Sequence, residues 1–404
     1  MAITGETFHM EEYNVCIIGG GPIGGYLASM LAKDIDGISL FEQKKHVGIP
    51  LQCAGLISPR VLEMLPFSTN DLIFTHINGA HVHSPSNTIL SIGGDKTHAY
   101  SINRTLLDQR FVEHAEKRGA DIYLNEKVLS VQRTSKTIEL KTSKERCIRT
   151  PLVVGADGPY SKIRDLLLMQ SPKEYLRGIG AEIIHAQLES HFVEIFVGSA
   201  IAPGFFAWMI PTSDDGSSAN IGLCTTTEAP HPPIHYFRQL FTNHHTKPYV
   251  EHAEIVQQYA GIIPLGPLSS TYENSIMLVG DAAAQVKPTS GGGIYPGMVC
   301  ANHCAEIAIQ ATKTQEYSQS FLKQYQDRWT KDIGWELKLG MQFRKLYKRK
   351  TDEQLEMYLK KFKEKKIERT ISKYGDIDYP SKLIGPLVKK SPSLLKFIPH
   401  MLKK

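Results

Sequence analysis

The feature that most constrains this chain is a charge-free run, Val15 to Ala32, with Gly19-Gly20-Gly21-Pro22-Ile23-Gly24 at its centre. A membrane-spanning helix needs about 20 apolar residues with leucine-like side chains in the middle. Four glycines and a proline stand there instead, and Glu11 and Glu12 occupy the flank where a signal peptide is positive. The run therefore reads as a strand over Tyr13 to Ile18, a tight turn, and a helix over Tyr26 to Lys33 inside a soluble domain. Its spacing is G-x-G-x-x-G between strand and helix. Gly19 permits the turn, Gly21 lets backbone approach a pyrophosphate, and Gly24 lets helix and strand pack closely. The helix N-terminus then faces the anion. Eighteen residues beyond Gly24, the strand Ile38-Ser39-Leu40-Phe41 ends at Glu42, whose carboxylate can accept the ribose hydroxyls of an adenosine. This first motif leaves NAD and FAD both open.

Two later segments bear on that choice. Val153-Val154-Gly155-Ala156-Asp157-Gly158, with Ser161 and Arg164, forms a strand running into D-G-x-x-S-x-x-R. Gly280-Asp281-Ala282-Ala283 follows the apolar strand Ile276 to Val279. Pro288-Thr289-Ser290-Gly291-Gly292-Gly293-Ile294 then opens a helix rich in small residues, among them Ala301, Ala305 and Ala308. Carboxylates at strand ends, here Asp157 and Asp281, can hold ribitol or ribose hydroxyls. The glycine-rich helix start, through Gly292 and Gly293, can set backbone N–H groups against the negative edge of a reduced flavin. No second G-x-G-x-x-G follows a strand, and no Cys-x₄-Cys pair occurs. Both absences argue against the two-nucleotide-domain reductases, so the electron donor is expected to dock transiently.

The ordered set GxGPxG, strand-end Glu, DGxxSxxR, GDAA and PxxGxG resembles the flavoprotein hydroxylase superfamily over roughly residues 12–330. The fold this implies is α/β: a Rossmann-like FAD-binding domain of para-hydroxybenzoate hydroxylase type, an inserted β-sheet substrate domain and a helical C-terminal part. Within the superfamily the chain looks most like the geranylgeranyl reductase family, in its archaeal lipid-reductase branch. Gln52-Cys53-Ala54-Gly55-Leu56-Ile57-Ser58 is similar to that family's cysteine segment. Tyr100 to Arg104, with Leu107 and Asp108, is similar to its Arg-x-x-Leu/Phe-Asp helix start. Phe206-Ala207-Trp208-Met209-Ile210-Pro211 is similar to its aromatic-x-Trp-x-aromatic-Pro motif, and PTSGGGIYPGM to its flavin-edge helix. Ile210 stands where Phe is usual, and Thr212 where a polar residue such as Lys often follows. By this resemblance Ile23, Glu42, Cys53, Ala54, Leu56, Arg104, Val128, Asp281, Gly293 and Ile294 would line FAD. Phe206, Trp208 and Pro211 would meet the substrate. Cys53 would donate a proton, gate the reduced ring or merely lend backbone to FAD, with Tyr295 as a second proton donor.

Length and composition fit this picture. A chain of 404 residues has a prior of two to three domains, and 42% hydrophobic with 22% charged residues is ordinary for a globular protein. The FAD-binding domain is expected over 1–75, 98–170 and 270–330, and the β-rich substrate domain over 76–97 and 171–269. Trp208, Phe205 and Phe206 either wall an apolar channel or fill the sheet's core. The six cysteines have no disulfide or zinc spacing and suit a reducing cytosol; Cys300 and Cys304, one helical turn apart, read as packing rather than metal ligands. No metal is expected. A net charge of +5 does not by itself indicate nucleic acid.

The basic residues gather in the helical region 331–404. Lys338 to Lys373 holds thirteen Lys/Arg against five Asp/Glu, and Tyr379 to Lys404 six Lys and no acid. Ile333, Leu337, Met341 and Leu346 recur at roughly helical spacing. This region either packs on the core or lies on an anionic membrane surface, the final stretch from Ser393 to Lys404 included. The expected location is cytoplasmic, with peripheral contact at the inner membrane face.

The resemblance implies FAD-dependent hydrogenation of isoprenoid double bonds in geranylgeranyl chains of membrane lipids or their precursors. A hydride goes to one alkene carbon and a proton to the other. An isolated alkene has no carbonyl to hold charge, so an apolar tunnel must press it against the ring and exclude water. The donor is a nicotinamide, a reduced deazaflavin or a ferredoxin. The rival enzyme is a flavin monooxygenase or halogenase acting on an apolar or aromatic substrate. A non-catalytic flavin-binding partner protein is the third reading.

Overall fold

The structure is a computed structural model that describes residues 10–390. Its centre is a six-stranded sheet in the order Tyr272–Glu273, Ile276–Leu278, Val153–Gly155, Val15–Ile18, Ile38–Glu42 and Asp121–Leu124. All pairs are parallel except the first. Parallel strands buried on both faces read as unbroken apolar runs, as Val15-Cys16-Ile17-Ile18 does. The helices Pro22–Leu31, Arg104–Lys117 and Ile294–Thr314 pack together and share one core with this sheet. Leu27, Leu31, Phe111, Ala301 and Ile307 are sealed from solvent there. Each such Leu, Ile or Phe contributes about 1.5–3 kcal/mol. Asn103 caps the middle helix, its side chain accepting from the Leu106 N–H at 3.0 Å.

A four-stranded sheet, Met10–Glu12, Cys147–Thr150, Ile138–Thr142 and Val128–Arg133, packs on the central sheet through Val128, Ile138, Leu140 and Ile148. A three-stranded antiparallel sheet, Leu56–Ile57, Ala99–Ile102 and Ile73–Ile77, joins the central core through Ile57 and Ile102. Beyond it stands a seven-stranded roof in the order Glu254–Leu265, Glu174–Ile184, Ser218–Thr226, Phe206–Pro211, Phe192–Val197, Gly79–His83 and Ile89–Gly93. All its strands are antiparallel except the pair Phe192–Val197 with Gly79–His83.

Helices Gln319–Trp329 and Trp335–Lys348 are joined by a π-helical turn, Thr330–Gly334, and helices Asp352–Glu364, Ile367–Tyr374 and Ile384–Lys390 follow. The expected helical periodicity is buried at Ile333, Leu337 and Met341, so this face packs on the core. Arg344 anchors Trp335–Lys348 to the roof through two bonds to Glu174, 2.9 and 2.6 Å. Glu356 anchors the next helix by accepting from Ser84, Thr88 and the Ser86 N–H. The stretch from Ser393 to Lys404, for which membrane contact was one expectation, lies outside the described residues.

Candidate functional site

The glycine loop follows its spacing closely. Gly19 has φ +108°, where a side chain would also strike the Ala156 carbonyl. A Cβ on Gly24 would overlap the Gly19 carbonyl oxygen, so this glycine sets the strand–helix approach. A Cβ on Gly21 would project into open space, which leaves that room for a ligand. The helix Pro22–Leu31 starts there without a side-chain cap, so its first N–H groups stay free for an anion. Glu42, 8% exposed, accepts from the Gly20 N–H at 2.7 Å and the Lys44 N–H at 2.8 Å, which fixes its carboxylate at the strand end.

The second and third motifs meet this loop from distant parts of the chain. Ser161 caps a short helix by accepting from the Arg164 N–H at 3.0 Å. The Arg164 guanidinium, 1% exposed, donates to the carbonyls of Pro159 and Ala282 at 3.0 and 3.2 Å. One buried cation thus joins the D-G turn to Gly280–Ala283. Asp157 accepts the Ile163 N–H through Oδ2 at 3.1 Å, while its buried Oδ1 has no partner. The same holds for Arg104 Nε and Asp108 Oδ1, although Arg104 and Asp108 pair at 2.6 Å. Burial pushes the carboxyls of Asp108 and Asp281 up to about 6, against the pull of Arg104. Helix Ile294–Thr314 begins at Gly293, again uncapped by a side chain, at the other end of the same depression.

These pieces line one cavity of ≈ 1370 Å³. That exceeds the roughly 300–1,000 Å³ of a pocket for one drug-sized ligand. Gly19, Gly21, Ile23, Glu42, Cys53, Ala54, Leu56, Arg104, Val128, Asp157, Asp281, Gly292, Gly293 and Ile294 all border it. Gly24 does not, in keeping with its packing role. The free Gly21 space, two uncapped helix starts and unpartnered Arg104, Asp108 and Asp157 atoms fit the pyrophosphate and hydroxyls of FAD.

The cavity continues beneath the roof. Strand alternation points Phe206, Trp208 and Ile210 inward, and Ala207, Met209 and Pro211 to the opposite face. Pro211 is therefore buried away from the cavity, a correction to its expected substrate contact. Tyr295 is a second correction. It does not line the cavity; burial first, and the 2.8 Å bond to the Tyr379 hydroxyl next, hold its pKa far above the ordinary tyrosine value. Phe205, 3% exposed, stacks on Phe206 at 4.3 Å.

Sequence reasoning missed the device that shapes this half. Gly222 and Gly180 sit side by side on the inner face. A Cβ on Gly222 would lie 2.5 Å from the Trp208 ring, and one on Gly180 2.5 Å from Tyr259. Each ring occupies space that a side chain at its glycine would fill. The Tyr259 hydroxyl donates to Asn220. Burial first, and the nearby Cys53 next, push it well above its usual range. Trp208 Nε1 has no partner. Sequence reasoning also missed the wall made by Ile371, Ile377, Pro380 and Leu383 of the C-terminal region. Lys287, beside the flavin-edge loop, holds that wall through Asp378 at 2.9 Å, and Arg60 holds it through Asp376 and Asp378. Neither tie has a sequence signal, because each joins segments about 90 or more residues apart.

Comparison with known proteins agrees with this geometry. The chain is 28% identical over 402 residues to digeranylgeranylglycerophospholipid reductase 2 of Methanopyrus kandleri, covering 97% of this chain and 100% of the relative. In fold it is similar to a geranylgeranyl bacteriochlorophyll reductase-like protein of Thermoplasma acidophilum. The TM-score is 0.85 at 20% identity, over 98% of this chain and 100% of the other. A p-nitrophenol 4-monooxygenase of Pseudomonas putida shares the fold at TM-score 0.71 and 17% identity, over 93% and 99% of the two chains. The model of the FAD-binding domain family matches residues 12–336, and the chain belongs to that family, with FAD as its cofactor.

Proposed function

We propose that the protein is an FAD-dependent reductase that hydrogenates isoprenoid C=C bonds in geranylgeranyl chains of membrane lipids or their precursors. The observation that carries this reading is the continuity of one cavity from the nucleotide loop to an apolar roof. The full-length similarity to a lipid reductase supports it. Reduced FAD supplies the hydride for such a reaction when bound.

The chain's own residues supply the rest. Glu42, Arg104, Asp157 and Asp281 hold the cofactor's polar parts. Ile195, Phe206, Trp208 and Ile210 confine the alkene and exclude water. Cys53 holds a proton on Sγ beside the roof, close enough to Tyr259 for the two to interact electrostatically. Its Sγ accepts weakly from the Gly55 N–H at 3.5 Å. We assign to Cys53 the role of the acid that protonates the second alkene carbon, which its place on the cavity wall supports.

A geranylgeranyl chain enters beside the C-terminal wall. Ile377 borders the cavity and is also 41% exposed, with Tyr374 exposed next to it. Lys373, Lys382, Lys389 and Lys390 stand in the same segment, a composition suited to an anionic lipid surface. No helix among the described residues is long and apolar enough to cross a membrane, so the contact proposed is peripheral. The electron donor, a nicotinamide, reduced deazaflavin or ferredoxin, docks transiently.

The test is anaerobic reduction of the FAD-loaded protein with dithionite, addition of a geranylgeranylated archaeal-type lipid, and mass spectrometry. Stepwise gain of hydrogen pairs is expected. Unchanged lipid over demonstrably reduced, bound FAD contradicts the proposal. Oxygen uptake stimulated by an aromatic substrate would favour the monooxygenase reading that the shared fold also accommodates.

A further inference from the structure

The reduction proposed above leaves one cluster of potential ligands unused. His76 lies in the strand Ile73–Ile77, His191 in the turn before Phe192–Val197, and Asp214 in the loop before Ser218–Thr226. Three distant segments meet there, and none of the three residues borders the cavity. Their ligand atoms lie within 4.8 Å of one another, the one such trio found among the described residues.

The hydrogen bonds around the cluster decide which atoms are free. His191 Nδ1 lies 3.0 Å from the His76 carbonyl oxygen, which can only accept. The proton of a neutral His191 is therefore on Nδ1, and Nε2 keeps its lone pair. Thr75, 2% exposed, donates its hydroxyl proton to Asp214 Oδ1 at 2.6 Å. That leaves Asp214 Oδ2 unengaged by Thr75. The Thr75 oxygen also accepts from His191 Nδ1 at 3.2 Å, so one buried hydroxyl orients both side chains. The His76 ring stacks on His191 with centroids 3.8 Å apart and planes 18° apart. His191 is held at φ 65°, a backbone state uncommon for a non-glycine residue.

An imidazole whose other nitrogen is pinned to a backbone carbonyl, beside a carboxylate pinned by a hydroxyl, is the outer-shell pattern of a metal site. Two imidazole nitrogens and one carboxylate oxygen suit a borderline divalent transition metal rather than calcium or magnesium. Bonds of about 2.0–2.1 Å in a tetrahedron place ligand atoms roughly 3.3 Å apart, so the ligand atoms, now within 4.8 Å, must draw together and the stacked His76 and His191 rings must fan apart to aim their in-plane lone pairs at one ion. We propose that His76, His191 and Asp214 bind one divalent ion of the zinc class. Water takes the fourth position, on the side where Asp214 is exposed. The ion would cross-link the three-stranded sheet to two loops of the roof. This inference does not depend on which substrate the cavity takes.

The test uses the FAD-loaded full chain, stripped with a chelator and titrated with Co²⁺ and with Zn²⁺. One equivalent of Co²⁺ should bind with the intense visible bands of a tetrahedral site, and Zn²⁺ should displace it. His76→Ala and Asp214→Asn should each weaken binding at least ~10-fold, and Thr75→Val, which removes only the orienting hydroxyl, by about 10-fold. Flavin absorbance should be unchanged in all three, which separates loss of the site from loss of the fold. His231→Gln with His235→Gln, altering an exposed histidine pair elsewhere, should leave binding intact. Absence of stoichiometric binding overturns the proposal. So does binding that survives Asp214→Asn and His76→Ala, or that disappears with the His231 and His235 changes.

Discussion

The two halves of the cavity are built by opposite means. The nucleotide half is polar, and short motifs make it: a glycine turn, a strand-end carboxylate, a D-G turn and an uncapped helix start. The roof half is apolar, and strand register makes it, with Gly180 and Gly222 yielding space to Tyr259 and Trp208. A site for charged phosphates must present donors at fixed local spacing. A site for an alkene needs only shape and dryness, which residues far apart in sequence can supply.

Substitutions sharpen this contrast. The largest effect is expected from Gly19→Ala, which combines a disfavoured φ with a clash against the Ala156 carbonyl. It should cost more than about 3 kcal/mol and abolish FAD retention, measured by thermal melting and flavin absorbance. Gly222→Val should act on the other half alone. The added side chain displaces the Trp208 ring and also presses on the backbone of the paired strand at the Ile179 carbonyl oxygen and Gly180 Cα, at a cost of about 3 kcal/mol. FAD should remain bound while lipid reduction falls at least ~10-fold; equal loss of both would mean the halves are not separable.

Cys53→Ala is expected to keep FAD and to slow alkene reduction ~10²-fold or more, as loss of a positioned acid does. Parental rates from a flavin-loaded variant would reduce Cys53 to a backbone contact. Asp281 gives the pH dependence. Because burial raises its folded pKa to about 6, the stability it contributes is full below the unfolded carboxylate range and is lost as pH rises through 6. In the proposed role of Asp281, hydroxyls of bound FAD would donate to the ionised form, so FAD should be held more weakly as pH falls below 6. Asp281→Asn should flatten both profiles. The smallest effect belongs to Tyr295→Phe. It removes a bond to Tyr379 worth about 1 kcal/mol and should leave reduction unchanged.

The same contrast explains what the sequence made legible. Glu42, Asp157, Asp281, Gly19 and Gly21 border the cavity where their motifs suggest, because each stands at a strand end or helix start that local sequence marks. Pro211 was misplaced by reading a motif without its alternation: the period of two that turns Trp208 and Ile210 inward turns Pro211 away. Tyr295 was misplaced because closeness to the flavin-edge glycines does not say where a helical side chain points. Tyr259 and the wall at Ile371 and Ile377 were invisible, since only pairing across the roof and docking of the C-terminal helices bring them to the cavity.

The most direct test of a shared cavity is titration of the oxidised, FAD-loaded protein with a geranylgeranylated lipid while following the flavin's visible absorbance. The account predicts a saturable spectral shift with lipid and FAD bound in equimolar amounts, and its loss in Gly222→Val. Lipid that binds without perturbing the flavin, or that expels it, would contradict the account.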